Sequence, residues 1–397
     1  MLAIGTAFTY HRTQLAHGYD RVAIAPISRR LPSAVTPLAI EGLTGDRAGN
    51  LYTTGREVSP TPCPVWKIDV GSRSLATVGF IPNPTGCGPA GIAFDAAGDL
   101  YVADGAGAGT VWKLTPNRSQ PETGIAFATG VPGTNGLAFD GNGNLWTGDG
   151  TAGQGRVWRI DPDGGTCEAA VGAFVGCVEA FRIQPMRNGT DLGGAIATPG
   201  VGRQNNAVPL NNAQNLVANG VAFDREGDLF VADTARGAIW KVELRHDGRL
   251  KSRTGCDTTF TANTLCLDNI FVAHPYLEGA DGIALDREGN IWVSANERNA
   301  IVVVTKRRAV EAFRNPTNAA RLRNSADAMG NNHILEFPTS PFLSGKRFCT
   351  ANSDGNRRDN SPNSAGEINA AGPVGARGKI ACMDQELMVP GLPLPVP

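Results

Sequence analysis

Three features that mark common classes of protein are scarce in this chain: an excess of charge of one sign, long apolar runs and CxxC pairs. Its 36 lysine and arginine residues nearly balance 37 aspartate and glutamate residues, for a formal net charge of −1. The most basic stretch is the short run 306–308. We therefore expect no nucleic-acid and no membrane partner. No apolar run approaches the roughly 18 residues that a membrane-spanning helix needs.

The eight cysteines form no CxxC motif, which argues against a zinc ribbon or a thioredoxin-like site. Their number is even and successive members lie close together, so we predict disulfides between sequence neighbours. The predicted pairs are Cys63–Cys87, Cys167–Cys177, Cys256–Cys266 and Cys349–Cys382. Disulfides persist in oxidising compartments, which favours a secreted or periplasmic protein. The alternative is a cytosolic protein with buried thiols. The first basic residue, Arg12, follows the apolar stretch 1–8, whereas in a signal peptide the basic residues come first.

Glycine is abundant, at 50 of 397 residues, and indicates many tight turns. Five segments align without gaps, each with a short apolar strand, a D-x-x-G-[DN] turn and a second strand with a large apolar core. They are 41–54, 90–103, 135–148, 219–232 and 281–294. Asp or Asn beside Gly is typical of hairpin turns. A third strand pattern follows each segment, at 65–69, 111–115, 157–161, 239–243 and 301–305.

A weaker sixth copy begins at His333, with 333–337, 346–349 and 379–382 as its three strands. Copies start near 41, 90, 135, 219, 281 and 333, and a base spacing of about 45–50 residues is typical of four-stranded propeller blades. The sequence thus predicts an all-β fold, a single six-bladed β-propeller over 1–397. It places insertions at about 165–216 and 352–378, both on the face of the predicted site. The strand that closes the ring is left open, and 22–27 is one candidate.

The inner strands of a propeller run in one direction beside the channel, so the first residues of the repeats should form a ring. This column contains Glu41, Ala90, Asn135, Asn219, Asp281 and His333. Four of these side chains offer oxygen ligands without thiolates, which favours Ca²⁺ over Zn²⁺. Two carboxylates match a divalent charge. The column therefore predicts a metal site formed by Glu41, Asn135, Asn219 and Asp281.

The repeat and its column resemble the calcium-dependent six-bladed propellers: regucalcin and the gluconolactonases, diisopropylfluorophosphatase and the paraoxonases. In those families a Glu of the first blade, Asn of the third and fourth and Asp of the fifth hold a catalytic calcium. The same four ring positions match in order and blade, over a resemblance that spans about 38–385. The resemblance implies one Ca²⁺ in the central channel, with other divalent cations as alternatives.

The sequence also departs from these families. Ala90 stands where the paraoxonases place a catalytic His, and the Arg and Asn of gluconolactonases that bind sugar in the second-blade region have no match. A sugar lactone is therefore not favoured. His333 is similar to a His near the metal in the sixth blade of diisopropylfluorophosphatase.

These observations predict a calcium-dependent hydrolase of lactones or carboxylic esters. The metal would polarise the carbonyl, and Asp281 or His333 would act as the base; Asp281 is alternatively the nucleophile. Three other functions stay open: an organophosphate-type hydrolase, a non-catalytic NHL-like propeller that binds ligands or proteins, and a metal-free enzyme similar to strictosidine synthase. We expect a small-molecule substrate and predict neither its binding residues nor the oligomeric state. Three aspartates follow second strands: Asp104, Asp149 and Asp233. We expect them to stabilise loops and not to take part in the site.

Overall fold

The chain folds into six four-stranded antiparallel blades, as seen in a computed structural model. The structure describes residues 33–57, 59–69, 72, 74–116, 119–150, 155–168, 175–184, 218–277, 279–296, 300–314, 335, 338–344, 347–353 and 378–384. Within these residues the strand order confirms the predicted all-β propeller.

The first strand, β1 (Ser33–Val35), belongs to the last blade. Blade 1 contains β2 (Thr44–Gly45), β3 (Leu51–Thr54), β4 (Cys63–Asp69) and β5 (Ser74–Ile81). Blade 2 contains β6 (Pro89–Phe94), β7 (Leu100–Asp104), β8 (Thr110–Leu114) and, after the short β9 (Glu122–Thr123), β10 (Ile125–Thr129). Blade 3 contains β11 (Leu137–Phe139), β12 (Leu145–Gly148), β13 (Arg156–Ile160) and, after β14 (Gly165–Glu168), β15 (Cys177–Arg182).

Blade 4 contains β16 (Ala218–Phe223), β17 (Leu229–Asp233), β18 (Ala238–Val242) and β19 (Ile270–Ala273). Blade 5 contains β20 (Ala280–Leu285), β21 (Ile291–Ala295), β22 (Ala300–Val304) and β23 (Val310–Arg314). Blade 6 contains β24 (Pro338–Ser344), β25 (Arg347–Asn352) and β26 (Lys379–Asp384). Two short 3₁₀ turns, Leu267–Asn269 and Pro275–Leu277, flank β19. No helix in this described part of the chain has the length and apolar character to cross a membrane.

The ring closes through a strand from the N-terminal side of the chain. Strand β1 pairs antiparallel with β26, with Ala34 opposite Ile380, and becomes the outer strand of blade 6. The two ends of the propeller are thereby joined in one sheet. The segment 22–27, one candidate for this closing strand, lies outside the described residues.

The repeated aspartates cap the hairpin turns, as predicted. Asp140 Oδ1 accepts the backbone N–H groups of Asn142 and Asn144, both at 2.9 Å, and its Oδ2 accepts Trp146 Nε1 at 2.9 Å. Asp286 binds Trp292 Nε1 in the same way at 3.1 Å. One carboxylate thus joins the turn to an aromatic residue of the core, because the turn aspartate and that aromatic residue are six positions apart in the chain.

Blade 6 replaces this arrangement with a disulfide. In the other blades, the second strand carries a large aromatic residue at one position: Tyr52, Tyr101, Trp146, Phe230 and Trp292. Cys349 occupies that position in β25, directly opposite Cys382 of β26, and the two are bonded. A covalent link therefore stands where the other blades bury an aromatic ring, whose burial contributes about 1.5–3 kcal/mol.

All eight cysteines form disulfides, in the pairs predicted from the sequence: Cys63–Cys87, Cys167–Cys177, Cys256–Cys266 and Cys349–Cys382. None is left as a buried thiol. Four disulfides are compatible with an extracellular or periplasmic location.

In blades 2, 3 and 4, the loop between the third and fourth strands pairs with the outer strand of the preceding blade. Strand β9 runs parallel to β5, β14 runs parallel to β10, and Thr264 bridges Arg182 at the end of β15. These additions cover outer strand edges that would otherwise expose unpaired backbone groups.

Two predictions about chain segments need correction. The first part of the predicted insertion 165–216 belongs to blade 3, because it contains β14 and β15, joined by Cys167–Cys177. Its remainder, 185–216, lies outside the described residues, as does most of the insertion 352–378. The first strand of blade 6 is Pro338–Ser344 and not 333–337.

Candidate active site

The first residues of the inner strands form a closed ring at one end of the channel. A glycine follows each of the first five ring residues and packs against the backbone carbonyl of the next ring residue so closely that a Cβ atom would collide with it. Gly42 packs on Ala90, Gly91 on Asn135, Gly136 on Asn219, Gly220 on Asp281 and Gly282 on Thr339. The Thr339 hydroxyl then donates to the Glu41 carbonyl at 2.6 Å, which completes the circle.

The sixth position of this ring is therefore Thr339, where the sequence predicted His333. The register of blade 6 shows the same, because Pro338 pairs with Asn352 as Ala280 pairs with Ala295 in blade 5. His333 itself lies outside the described residues, so its predicted role as the base stays a prediction. The repeat alignment placed the sixth copy six residues too early, because blade 6 has no D-x-x-G-[DN] turn to fix its position.

The four predicted metal ligands come together in this ring. Asn135, Asn219 and Asp281 are 6%, 5% and 5% exposed, and all are held by the starts of inner strands. Asn135 Nδ2 lies 3.4 Å from Glu41 Oε1, so these two side chains meet above Ala90. The ring therefore contains two carboxylates and two amides, and three of these four side chains are buried.

The amide of Asn219 has a defined orientation. Thr234 Oγ1 donates its proton to the Ala280 carbonyl at 2.6 Å and can therefore only accept from Asn219, whose Nδ2 lies at 3.2 Å. Asn219 Oδ1 is consequently turned away from Thr234, and it is buried without a hydrogen-bond partner among the described residues. Buried oxygens are nearly always paired, so this one is available to a ligand.

The other ring ligands are held by side chains at the same position of their blades. Asn296 Nδ2 donates to Asp281 Oδ2 at 3.0 Å, and the Arg56 guanidinium pairs with Glu41 Oε2. Gly150 leaves room for Asn135, because a Cβ there would collide with the Asn135 amide.

These orienting residues were missed by the sequence analysis, although a signal was present. They stand fifteen positions after the ring residue in each repeat: Arg56, Gly105, Gly150, Thr234 and Asn296. Extending the repeat alignment by two columns beyond the second strand would have found them. The spacing is the same in the first five blades.

The neighbouring aspartates stabilise loops, as expected. Asp104 Oδ1 accepts the backbone N–H groups of Gly88 and Ala106, at 2.8 and 3.1 Å. Asp233 is paired with Arg236 at 3.0 Å. Asp149 is paired with Arg156 at 2.9 Å, and burial raises the pKa of its carboxyl to about 7.

Below the ring, the channel wall is apolar. A cavity of about 160 Å³ lies further along the inner strands and is lined by side chains from every blade. They include Leu43, Ile92, Leu137, Val221, Ile283 and Leu343. Such a wall lowers the local dielectric, which strengthens the interactions of charges at the ring.

The ring fits a hard cation by the chemistry of its donors. Among the described residues no group of three or more His, Cys, Asp and Glu side chains could hold a metal. Only Glu41 and Asp281 of the four ring ligands belong to those types, so this finding leaves the mixed carboxylate–amide set untouched. The buried, unpaired Asn219 Oδ1 is the kind of neutral oxygen that calcium accepts.

A family model matches part of the chain. Residues 165–321 match the model of the SMP-30/gluconolactonase/LRE-like region. This match contains Asn219 and Asp281 and supports the regucalcin- and gluconolactonase-like resemblance. No protein of curated function matches the chain in sequence.

Solved structures share the fold of this chain. A PQQ-bound aldose sugar dehydrogenase from Streptomyces coelicolor has a TM-score of 0.54 and 15% identity, covering 90% of this chain and 99% of that one. Regucalcin, a calcium-binding protein from Agrobacterium tumefaciens, has a TM-score of 0.51 and 13% identity, covering 92% of this chain and 97% of that one. A luciferin-regenerating enzyme has a TM-score of 0.51 and 12% identity, covering 91% and 97%. At these identities the likeness shows the propeller fold alone.

Proposed function

We propose that this protein is a calcium-dependent hydrolase of lactones or carboxylic esters, acting at the ring of Glu41, Asn135, Asn219 and Asp281. One observation carries the proposal: Asn219 Oδ1 is buried without a hydrogen-bond partner among the described residues, in a ring that also contains Glu41 and Asp281. The lactonase-like family region and the calcium-binding regucalcin of the same fold support this choice.

A bound Ca²⁺ would stabilise the negative charge that develops on the carbonyl oxygen. The chain itself positions the reacting groups. Thr234 and Asn296 hold the Asn219 amide and the Asp281 carboxylate in place. Asp281 is the proposed base that takes a proton from the attacking water, because it combines a carboxylate with a fixed orientation.

The test compares wild type with Asp281→Asn, which removes the charge and keeps the shape. Metal content of the purified proteins and hydrolysis of lactones, aryl esters and phosphotriesters are measured with and without EDTA. We expect stoichiometric calcium in the wild type and EDTA-sensitive turnover of lactones or esters. Turnover should fall by about 100-fold or more in the variant.

Asp247→Asn is the matched control, because it makes the same charge change at a side chain that is 53% exposed. It should retain metal and activity. A wild-type protein that binds no metal and hydrolyses none of the substrates would overturn the proposal and favour a binding propeller. Turnover of phosphotriesters alone would instead favour the organophosphate-type activity.

We also propose a secreted or periplasmic location, on the strength of the four disulfides. The proposed partner is a small-molecule substrate, with neither nucleic acid nor membrane involved. The balanced charge of the sequence supports this part of the proposal.

A further inference from the structure

An arginine stands at one of the proposed metal ligands. The Arg56 guanidinium pairs with Glu41 Oε2, and the two side chains are only 29% and 14% exposed. An ion pair largely withdrawn from water is stronger than one on the surface. One of the two carboxylate oxygens of Glu41 is thus already in contact with a positive charge.

This charge is particular to blade 1. The residues at the same position of the next four blades are neutral: Gly105, Gly150, Thr234 and Asn296. Those at the third, fourth and fifth blades either leave room for a ring side chain or hold it by hydrogen bonds. Neutral residues therefore suffice to position ring side chains in this fold, and positioning alone does not explain an arginine.

We propose that Arg56 competes with the metal for Glu41 and thereby sets the metal affinity of the ring. The inference rests on the proposed function, because it takes the ring as the metal site. Two cations at one carboxylate repel each other, so the guanidinium opposes the binding of a divalent ion at Glu41. A guanidinium stays charged at all ordinary pH values, which makes the competition permanent.

Calorimetric titration with CaCl₂ tests this inference without any substrate. The proteins are wild type, Arg56→Gln, Arg56→Met and Arg56→Lys, each first freed of metal with a chelator. We expect calcium to bind roughly tenfold or more tightly to the Gln and Met variants, because repulsion is removed. The Lys variant keeps the charge and should bind nearer to wild type.

Arg249→Gln is the control, because it changes the net charge equally at a side chain that is 61% exposed. It should bind calcium like the wild type. The Met variant retains much of the apolar stem of Arg56. Comparing the thermal unfolding of the Met and Gln variants therefore reveals any folding defect that is specific to Gln. Binding in Arg56→Gln but not in wild type would support the competition.

Two outcomes would overturn the inference, and they differ in what they say about the ring. If wild type binds calcium and both neutral variants bind equally or more weakly, Arg56 holds Glu41 in place and does not compete. In that case the proposed function stands. If neither the wild type nor any Arg56 variant binds calcium, the ring is not a calcium site, and the proposed function fails together with the inference.

Discussion

Thr234 determines which atom Asn219 presents to the ring. Its hydroxyl donates to the Ala280 carbonyl at 2.6 Å and accepts from Asn219 Nδ2 at 3.2 Å. A hydroxyl has one proton, so its use on Ala280 forces the amide of Asn219 to turn its oxygen the other way. A threonine of blade 4 and a carbonyl of blade 5 together orient a proposed ligand.

Thr234→Val should weaken calcium binding. Valine has nearly the shape of threonine but cannot accept the Asn219 amide, so the amide is free to rotate and its oxygen is no longer fixed. We expect a loss of about tenfold or more in calcium affinity, as for other residues that orient metal ligands. Calorimetric titration measures the change. Thr305→Val, at an exposed turn, should have no effect, and unchanged affinity in Thr234→Val would refute the orienting role.

Gly150→Ala should displace Asn135. A Cβ at Gly150 would collide with the Asn135 amide, whereas the equivalent Cβ at Gly105 would lie 3.4 Å from its nearest neighbour, the Thr134 carbonyl. Neither glycine has a positive φ. We expect Gly150→Ala to reduce calcium affinity and hydrolysis by about tenfold or more, and Gly105→Ala to change neither by much.

The pair of alanine variants separates a local effect from general destabilisation. Thermal unfolding of both should be similar if the Asn135 displacement is local. Equal calcium affinities in the two variants would show that Asn135 does not contribute to the site.

The disulfide of blade 6 should contribute more to stability than a disulfide with a shorter loop. Cys349–Cys382 spans 33 residues and Cys256–Cys266 spans 10. In the chain-entropy model the longer loop is worth about 1 kcal/mol more, on a total of about 3–4 kcal/mol. Urea unfolding of the two double serine variants measures the difference. A larger loss for Cys256–Cys266 would show that the outer-edge loop matters more than blade 6.

Periodic features of this protein could be predicted from the sequence. The D-x-x-G-[DN] turns identify five blades, because the turn aspartate binds backbone N–H groups close to it in the chain. The ring positions of Glu41, Asn135, Asn219 and Asp281 follow from the same alignment, since equivalent positions of inner strands lie at one height. The disulfide pairs could also be predicted, because each joins neighbours in the sequence.

The tertiary structure decided the features that join distant segments. The strand that closes blade 6, Ser33–Val35, has no repeat pattern, and its pairing with β26 joins the two ends of the propeller. Thr339 takes the sixth ring position because Gly282 packs on its carbonyl and its hydroxyl reaches Glu41. Local turn chemistry and period are written in the order of residues, whereas these contacts exist only once six blades close around the channel.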